Sequence, residues 1–249
     1  MSSNVRRVLA IVVTVAVMAT SVISSMGALA EDVIPTGYNK ATGLNVNLAE
    51  NEYYQPISGF EAMGTDWGVH AYNKGTASES TGIKNSGSKS AKMVHKGFTN
   101  EIGSMDFISV INQQNLTIDA SKANYLQFYV KNDSVTDIEI AKLCINGPEN
   151  AQASTITNAD VKFFDYSKAD KKWEDGKVQT SSTKLDGKKY TAIVVGAGKE
   201  GLIRIPMSIW GSPASITRFM FWTSVTLGGA ADQTLYIVPY LSIAVYHLI

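Results

Sequence analysis

Ten residues, NYLQFYVKND at 124–133, do most to limit what this chain can become. Leu126, Phe128 and Val130 alternate with Tyr125, Gln127, Tyr129 and Lys131. That period of two sends the first set to one face of a strand and the second set to the other. Runs of the same kind return in EIAKLCING, KYTAIVVGAG, GLIRIPMSIW, ITRFMFWTSV and QTLYIVPYLSIAVY, rich in Val, Ile, Tyr and Phe and mostly bounded by Gly, Asn, Asp or Pro. Beyond residue 30 no stretch keeps a helical period for three turns. Many short strands divided by turn signals argue for an all-β chain folded as a β-sandwich rather than for a βαβ fold. With 249 residues, 45% of them hydrophobic and only 18% charged, the chain has the means to bury such a core.

The first thirty residues follow a different logic. MSSNVRR carries two Arg, VLAIVVTVAVMATSVISS is apolar and uncharged, and MGALA ends in small residues before Glu31. A basic start, an apolar middle and an Ala-x-Ala site at Ala28 and Ala30 describe a secretory signal peptide cut after Ala30. The competing reading is an uncleaved anchor, because the apolar run is nearly long enough to span a bilayer. Either way the expected location is secreted or extracellular, with cell-surface association open. Cys144 is the single cysteine, so no intramolecular disulfide forms and the fold rests on its core. Its apolar setting predicts a buried, inert thiol. An exported protein without disulfides fits a bacterial source. The formal net charge is zero, which removes the basic field that nucleic acid or an anionic membrane would need.

Residues 31–50 read as a polar leader or linker, in which LNVNLA alternates and is a candidate edge strand. No second linker or internal repeat follows, so 51–249 is expected to be one domain. Within it, 146–190 is polar and rich in Lys and Asp. VKFFDYS and KWEDGKVQ are expected to form the arms of a hairpin with Trp173 near its tip, and such an excursion is a natural place for binding. VVGAGKEG departs from the phosphate-binding loop pattern and reads as a hairpin loop.

Several blocks in this order resemble the jelly-roll carbohydrate-binding modules: ISGFEAMGTDWGVH, NSGSKSAKMVHKG, IDASKANYLQFYVKND, GLIRIPMSIWGSPASITRFMFW and DQTLYIVPYLSI. Together they span residues 57 to 243. Galactose-binding-like sandwiches share the pattern, including many that bind no sugar. The resemblance implies a jelly-roll sandwich and noncatalytic binding of a polysaccharide or oligosaccharide. It also implies a structural calcium held in part by Glu61. One departure weighs against that metal, since Val238 stands where the family carries a second carboxylate, leaving backbone carbonyls and Asp232 as substitutes.

Catalytic constellations are thin. Asp137 and Glu139 share a strand face with nothing suggestive beside them, and Glu174 and Asp175 fall in an expected turn. His70, His95 and His247 lack metal-ligand spacing, and no Gly-x-Ser-x-Gly occurs. Sugar binding asks instead for flat aromatic faces with hydrogen-bonding groups beside them. Tyr125, Gln127 and Tyr129 supply such a face. Trp222 alternates with Phe219 and Phe221, which match core positions of the modules the chain resembles, so the resemblance implies that Trp222 points outward with Tyr125, Gln127 and Tyr129, and Arg204 offers a donor on that surface. Trp67, His70 and Tyr72 form a loop-side group in which Trp67 either touches ligand or packs the sandwich rim. Trp210 reads as packing. A structural or protein-docking sandwich, with a partner protein or assembly, and a divergent polysaccharide hydrolase or lyase remain the alternatives.

Overall fold

A computed structural model describes residues 39–40, 52–56, 63–64, 67–71, 75–83, 88–97, 108–112, 118–147, 156–170, 172–182, 184, 187–226, 228–229 and 232–244. The chain divides into two units, Met1–Tyr38 and Asn39–Ile249, and every described residue belongs to the second. The signal-peptide region, LNVNLA, Glu61 and Tyr72 therefore lie outside the described residues.

Regular structure in the second unit is almost all strand. In chain order the strands are β1 (Asn39–Lys40), β2 (Glu52–Pro56), β3 (Trp67–Ala71), β4 (Thr76–Ser80), β5 (Ser90–His95) and β6 (Ile108–Asn112). They continue as β7 (Ile118–Asp119), β8 (Tyr125–Asn132), β9 (Ile138–Ile145), β10 (Lys162–Asp165), β11 (Trp173–Asp175) and β12 (Lys177–Thr180). The last are β13 (Thr191–Val195), β14 (Glu200–Pro206), β15 (Ser215–Ile216), β16 (Phe219–Val225) and β17 (Gln233–Ala244). The IPMSIW segment closes in one 3-10 turn, Met207–Trp210, whose Trp210 indole donates to the Leu143 carbonyl.

Two large antiparallel sheets result, together with a two-stranded pair, β15-β7, among the described residues. The nine-stranded sheet runs β1-β2-β17-β8-β14-β10-β11, with β5 on β17 and β4 on β5. The six-stranded sheet runs β12-β13-β9-β16-β6-β3. Successive strands change sheet at β8 to β9, β13 to β14 and β16 to β17, and β14 reaches β16 by way of the short strand β15. Such crossings are the mark of a jelly-roll sandwich, the expected fold. Short edge strand β1 falls in the stretch read as leader.

The core sits where the alternation in β8 placed it. Phe128 packs against Phe219 at 5.8 Å and Phe221 at 6.1 Å between ring centroids, joining the two sheets. Leu126, Val130, Ile140, Leu143, Ile205 and Ile237 are fully buried. From the nine-stranded side, Met93 Sδ and His95 Nε2 each lie 3.2 Å from Thr223 Oγ1. His95 is thus a core residue. Cys144 is buried, as its setting predicts.

Two local expectations are corrected. VVGAGKEG is not a hairpin loop: β13 and β14 belong to different sheets, and Gly196–Lys199 turns the corner between them, with Lys199 N donating to Gly196 O. A turn signal fixes a reversal of direction but not which sheet receives the next strand. The 146–190 segment is likewise no free excursion. β10 and β11 pair as expected, but the second arm breaks at Gly176. Trp173–Asp175 extends the nine-stranded sheet, and Lys177–Thr180 extends the other. Glu174 and Asp175 therefore lie in a strand rather than a turn.

Candidate functional site

The site is assembled by register on the outer face of the nine-stranded sheet. Residues directly opposite across an antiparallel pair share a face. Val238, Tyr129, Leu202, Phe164 and Trp173 form one such row from β17 to β11. The neighbouring row carries Gln127, Arg204, Lys162 and Asp175, and Tyr125 follows two residues along β8.

Arg204 is the centre of this surface. Its guanidinium carbon lies 4.0 Å from the Trp173 ring centroid and 4.6 Å from that of Tyr125, while Nε donates to Gln127 Oε1 at 2.8 Å. Arg204 retains 6% of its exposure and Gln127 none. A desolvated guanidinium over two rings is attracted to both ring faces, and the bond to Gln127 fixes its rotation. The two rings themselves are half-buried. Trp173 is held in turn by an edge-to-face contact with Phe164 at 5.4 Å.

Beside this group, the Tyr129 hydroxyl donates to Glu200 Oε1 at 2.8 Å, and Lys131 Nζ lies 3.6 Å from Glu200 Oε2. Burial, and then the bond to Glu200, push the Tyr129 phenol far above its ordinary range, so it stays a donor. Tyr129 retains only 1% exposure, packed in a cluster with Phe164, Leu202 and Val238, with Tyr166 and Trp173 against it.

The predicted site residues therefore separate. Tyr125, Gln127, Tyr129 and Arg204 do share one outer face, but Tyr129 and Gln127 are buried beneath it and offer no platform. Trp222 does point outward, from the six-stranded sheet, and so lies on the opposite side of the sandwich. There it is 5% exposed, clustered with Ala141, Cys144, Ala192 and Met220, with Lys142 Nζ 4.5 Å from its ring centroid. The expectation that Trp222 joins Arg204 on one surface is corrected. Trp67 is fully buried, so it packs and does not present a ring to ligand. Tyr72 and Glu61 lie outside the described residues.

Trp173 is the residue whose place the sequence reading missed. Its signal was present in the period-two spacing of Trp173 and Asp175 opposite Phe164 and Lys162, but a lone Trp in a Lys- and Asp-rich run reads as a loop aromatic. Around the calcium expectation, Val238 packs against Tyr129, and Asp232 is ion-paired with Lys96. Among the described residues no group of three acidic, His or Cys side chains comes together for a metal.

No family model matches the sequence, and no curated protein matches it. Solved structures do match. One is the family 11 carbohydrate-binding module of the cellulosomal cellulase Lic26A-Cel5E of Clostridium thermocellum, at 10% identity and TM-score 0.39 over 79% of this chain and 98% of that one. The solution structure of CtCBM11 matches at 12% identity and TM-score 0.41 over 81% of this chain and 100% of that one. The C-terminal family 22 carbohydrate-binding module of Clostridium thermocellum Xyn10B matches at 10% identity and TM-score 0.33, over 85% and 100%. The chain resembles jelly-roll carbohydrate-binding modules. Identities and TM-scores this low transfer no residue roles, so the side chains of the outer face must carry the functional reading.

Proposed function

We propose that this protein binds carbohydrate without turning it over, through the outer face of the nine-stranded sheet. The observation that carries the reading is the row Tyr125–Arg204–Trp173, two half-buried rings with a desolvated guanidinium between them in sequence of contact. Flat aromatic faces stack on the apolar faces of pyranose rings, and fixed planar donors and acceptors read the hydroxyls. Arg204 is held by Gln127 and by both rings, so the surface is preformed and ligand ordering costs little. Glu200 and Lys131 add an acceptor and a donor at its margin.

The ligand class we favour is a polysaccharide or oligosaccharide met outside the cytoplasm. The basic, apolar and small-residue order of residues 1–30 supports that location. A glycan array and pull-down on insoluble polysaccharides test the reading. Wild type is expected to be retained on at least one glycan, and Tyr125→Ala and Trp173→Ala to lose that retention. A folded wild type retained on no glycan overturns it.

One observation favours a second reading, a structural or protein-docking sandwich. Phe164, Tyr166 and Trp173 cover Tyr129, which leaves the face smaller than an open platform. That reading expects no glycan retention and a partner protein lost on substituting the same two aromatics.

A further inference from the structure

A cavity of about 240 Å³ lies between the sheets at their β10–β11 and β12–β13 edges, away from Tyr125 and Arg204. Its floor is apolar: Phe163, Ile193, Val195 and Ile203 line it. Phe163 is half-buried here, on the opposite side of β10 from Phe164. The cavity follows from the break at Gly176. There the chain leaves one sheet for the other, with Gly176 N donating to the Val161 carbonyl at 2.7 Å. A Cβ on Gly176 would sit 2.6 Å from Val161 Cγ1, so any larger residue at this crossing would force Val161 to shift.

The rim is charged but internally balanced. Asp165, 4% exposed, pairs with Lys199 at 2.7 Å and accepts from Ser167 N and Oγ. Lys168 pairs with Glu174. Asp175 pairs with Lys162 at 2.5 Å, and Lys177 with Asp137 at 3.0 Å. A charged ligand would have to break one of these pairs. A neutral ligand bearing several hydroxyls would instead find alternating acceptors and donors already oriented. The space, about 240 Å³, lies below the ~300–1,000 Å³ of pockets for larger ligands. Its size matches a single sugar ring.

We propose that this edge cavity is a second binding site, taking a single neutral pyranose with its apolar face on Phe163 and its hydroxyls on the Asp165–Lys199 and Lys168–Glu174 pairs. It lacks Tyr125 and Arg204, shares only Asp175 with the outer-face rows, and does not depend on that surface binding sugar.

The test is a titration of the purified protein, followed by amide ¹H–¹⁵N spectra. The probes are methyl β-glucoside, methyl β-galactoside and methyl β-xyloside, with 1-hexanol as an apolar control and glucuronate as a charged one. At least one neutral glycoside is expected to shift Gly176, Val195, Gly196 and Lys199 saturably, with a dissociation constant on the order of 1 mM. Phe163→Leu and, independently, the rim variant Glu174→Gln should each weaken it at least about fivefold, while Tyr125→Ala leaves it within about twofold. Because Tyr125→Ala disables only the outer face, loss of one site is distinguishable from loss of the other. The proposal is overturned by absence of saturable shifts with every neutral glycoside. It is equally overturned if 1-hexanol or glucuronate binds as well as the best glycoside, or if Phe163→Leu and Glu174→Gln bind like wild type.

Discussion

Truncating Trp173 is the sharpest test of the outer face. The indole makes two measurable contacts, with the Arg204 guanidinium at 4.0 Å and with the edge of Phe164 at 5.4 Å. A partly desolvated cation over a Trp ring is worth ~1–2 kcal/mol, and an edge-to-face aromatic pair ~0.5–1.5 kcal/mol beyond its area. Trp173→Ala should therefore cost about 2–3 kcal/mol of stability, a loss that a domain stable by ~5–15 kcal/mol survives. The effect on ligand is separate. An aromatic anchor at a site centre is worth at least ~2 kcal/mol, so retention should fall about thirtyfold. Trp173→Phe keeps a flat face and should recover part of both. Urea unfolding followed by circular dichroism reads the first quantity, and affinity electrophoresis in a polysaccharide gel reads the second. A folded Trp173→Ala protein whose retention stays within twofold of wild type would refute the role assigned to this ring.

Trp222→Phe should leave glycan retention unchanged, because Trp222 belongs to the other sheet. Its stability cost should fall below the ~3–5 kcal/mol of truncation to Ala, since the buried indole N–H has no hydrogen-bond partner among the described residues to lose. Altered retention by this variant would undo the separation of the two faces. Gly201→Ala should lower the urea midpoint by the equivalent of about 3 kcal/mol or more, because its Cβ would lie 2.1 Å from the Phe164 carbonyl oxygen and force β10 away from β14. A midpoint like that of wild type would mean the β10–β14 register is wrong. Glu139 supplies a pH dependence. Burial pushes its carboxyl above the ordinary value, although Ser182 and Gln179 donate to it and pull the other way. The folded state then holds a proton that the unfolded chain has released, so stability should fall as pH rises from the ordinary carboxyl range through the raised folded value. Urea midpoints at successive pH values should slope downward there for wild type and flatten in Glu139→Gln. The same slope in both would assign it to another group.

What the sequence made legible was whatever period two controls. Leu126, Phe128 and Val130 pack inward against Phe219 and Phe221, and Tyr125, Gln127 and Tyr129 face out, as their alternation requires. Period two, however, says which face of its own sheet a residue takes and nothing about which sheet that is. Trp222 and Tyr129 were both correctly outward and are nonetheless on opposite sides of the sandwich. Burial of an outward residue was equally out of reach, because what covers Tyr129 comes from Phe164, Tyr166 and Trp173, thirty-five or more residues later. The Gly-rich turn at 196–199 failed for the same reason as Trp222: local chemistry marks a reversal, while long-range pairing decides where the chain goes next.

The segment from 161 to 177 shows how one stretch serves two surfaces. Along β10, Phe163 faces the edge cavity while Phe164 faces Trp173 and the outer face. Across the pair, Glu174 lies opposite Phe163 and Trp173 opposite Phe164. A single-residue slip of β10 against β14 would exchange these roles, placing Phe163 beneath Arg204 and Phe164 in the cavity. Gly201 opposes such a slip from one side, because it alone tolerates the Phe164 carbonyl at so close an approach. Gly176 opposes it from the other, because the crossing to β12 passes Val161 with no room for a side chain. The two glycines therefore do more than permit turns. They fix the register on which both the stacked Arg204 group and the balanced rim of the cavity depend, so substitution at Gly201 should impair ligand binding at both places together, whereas Tyr125→Ala should impair only the outer face and Phe163→Leu only the cavity.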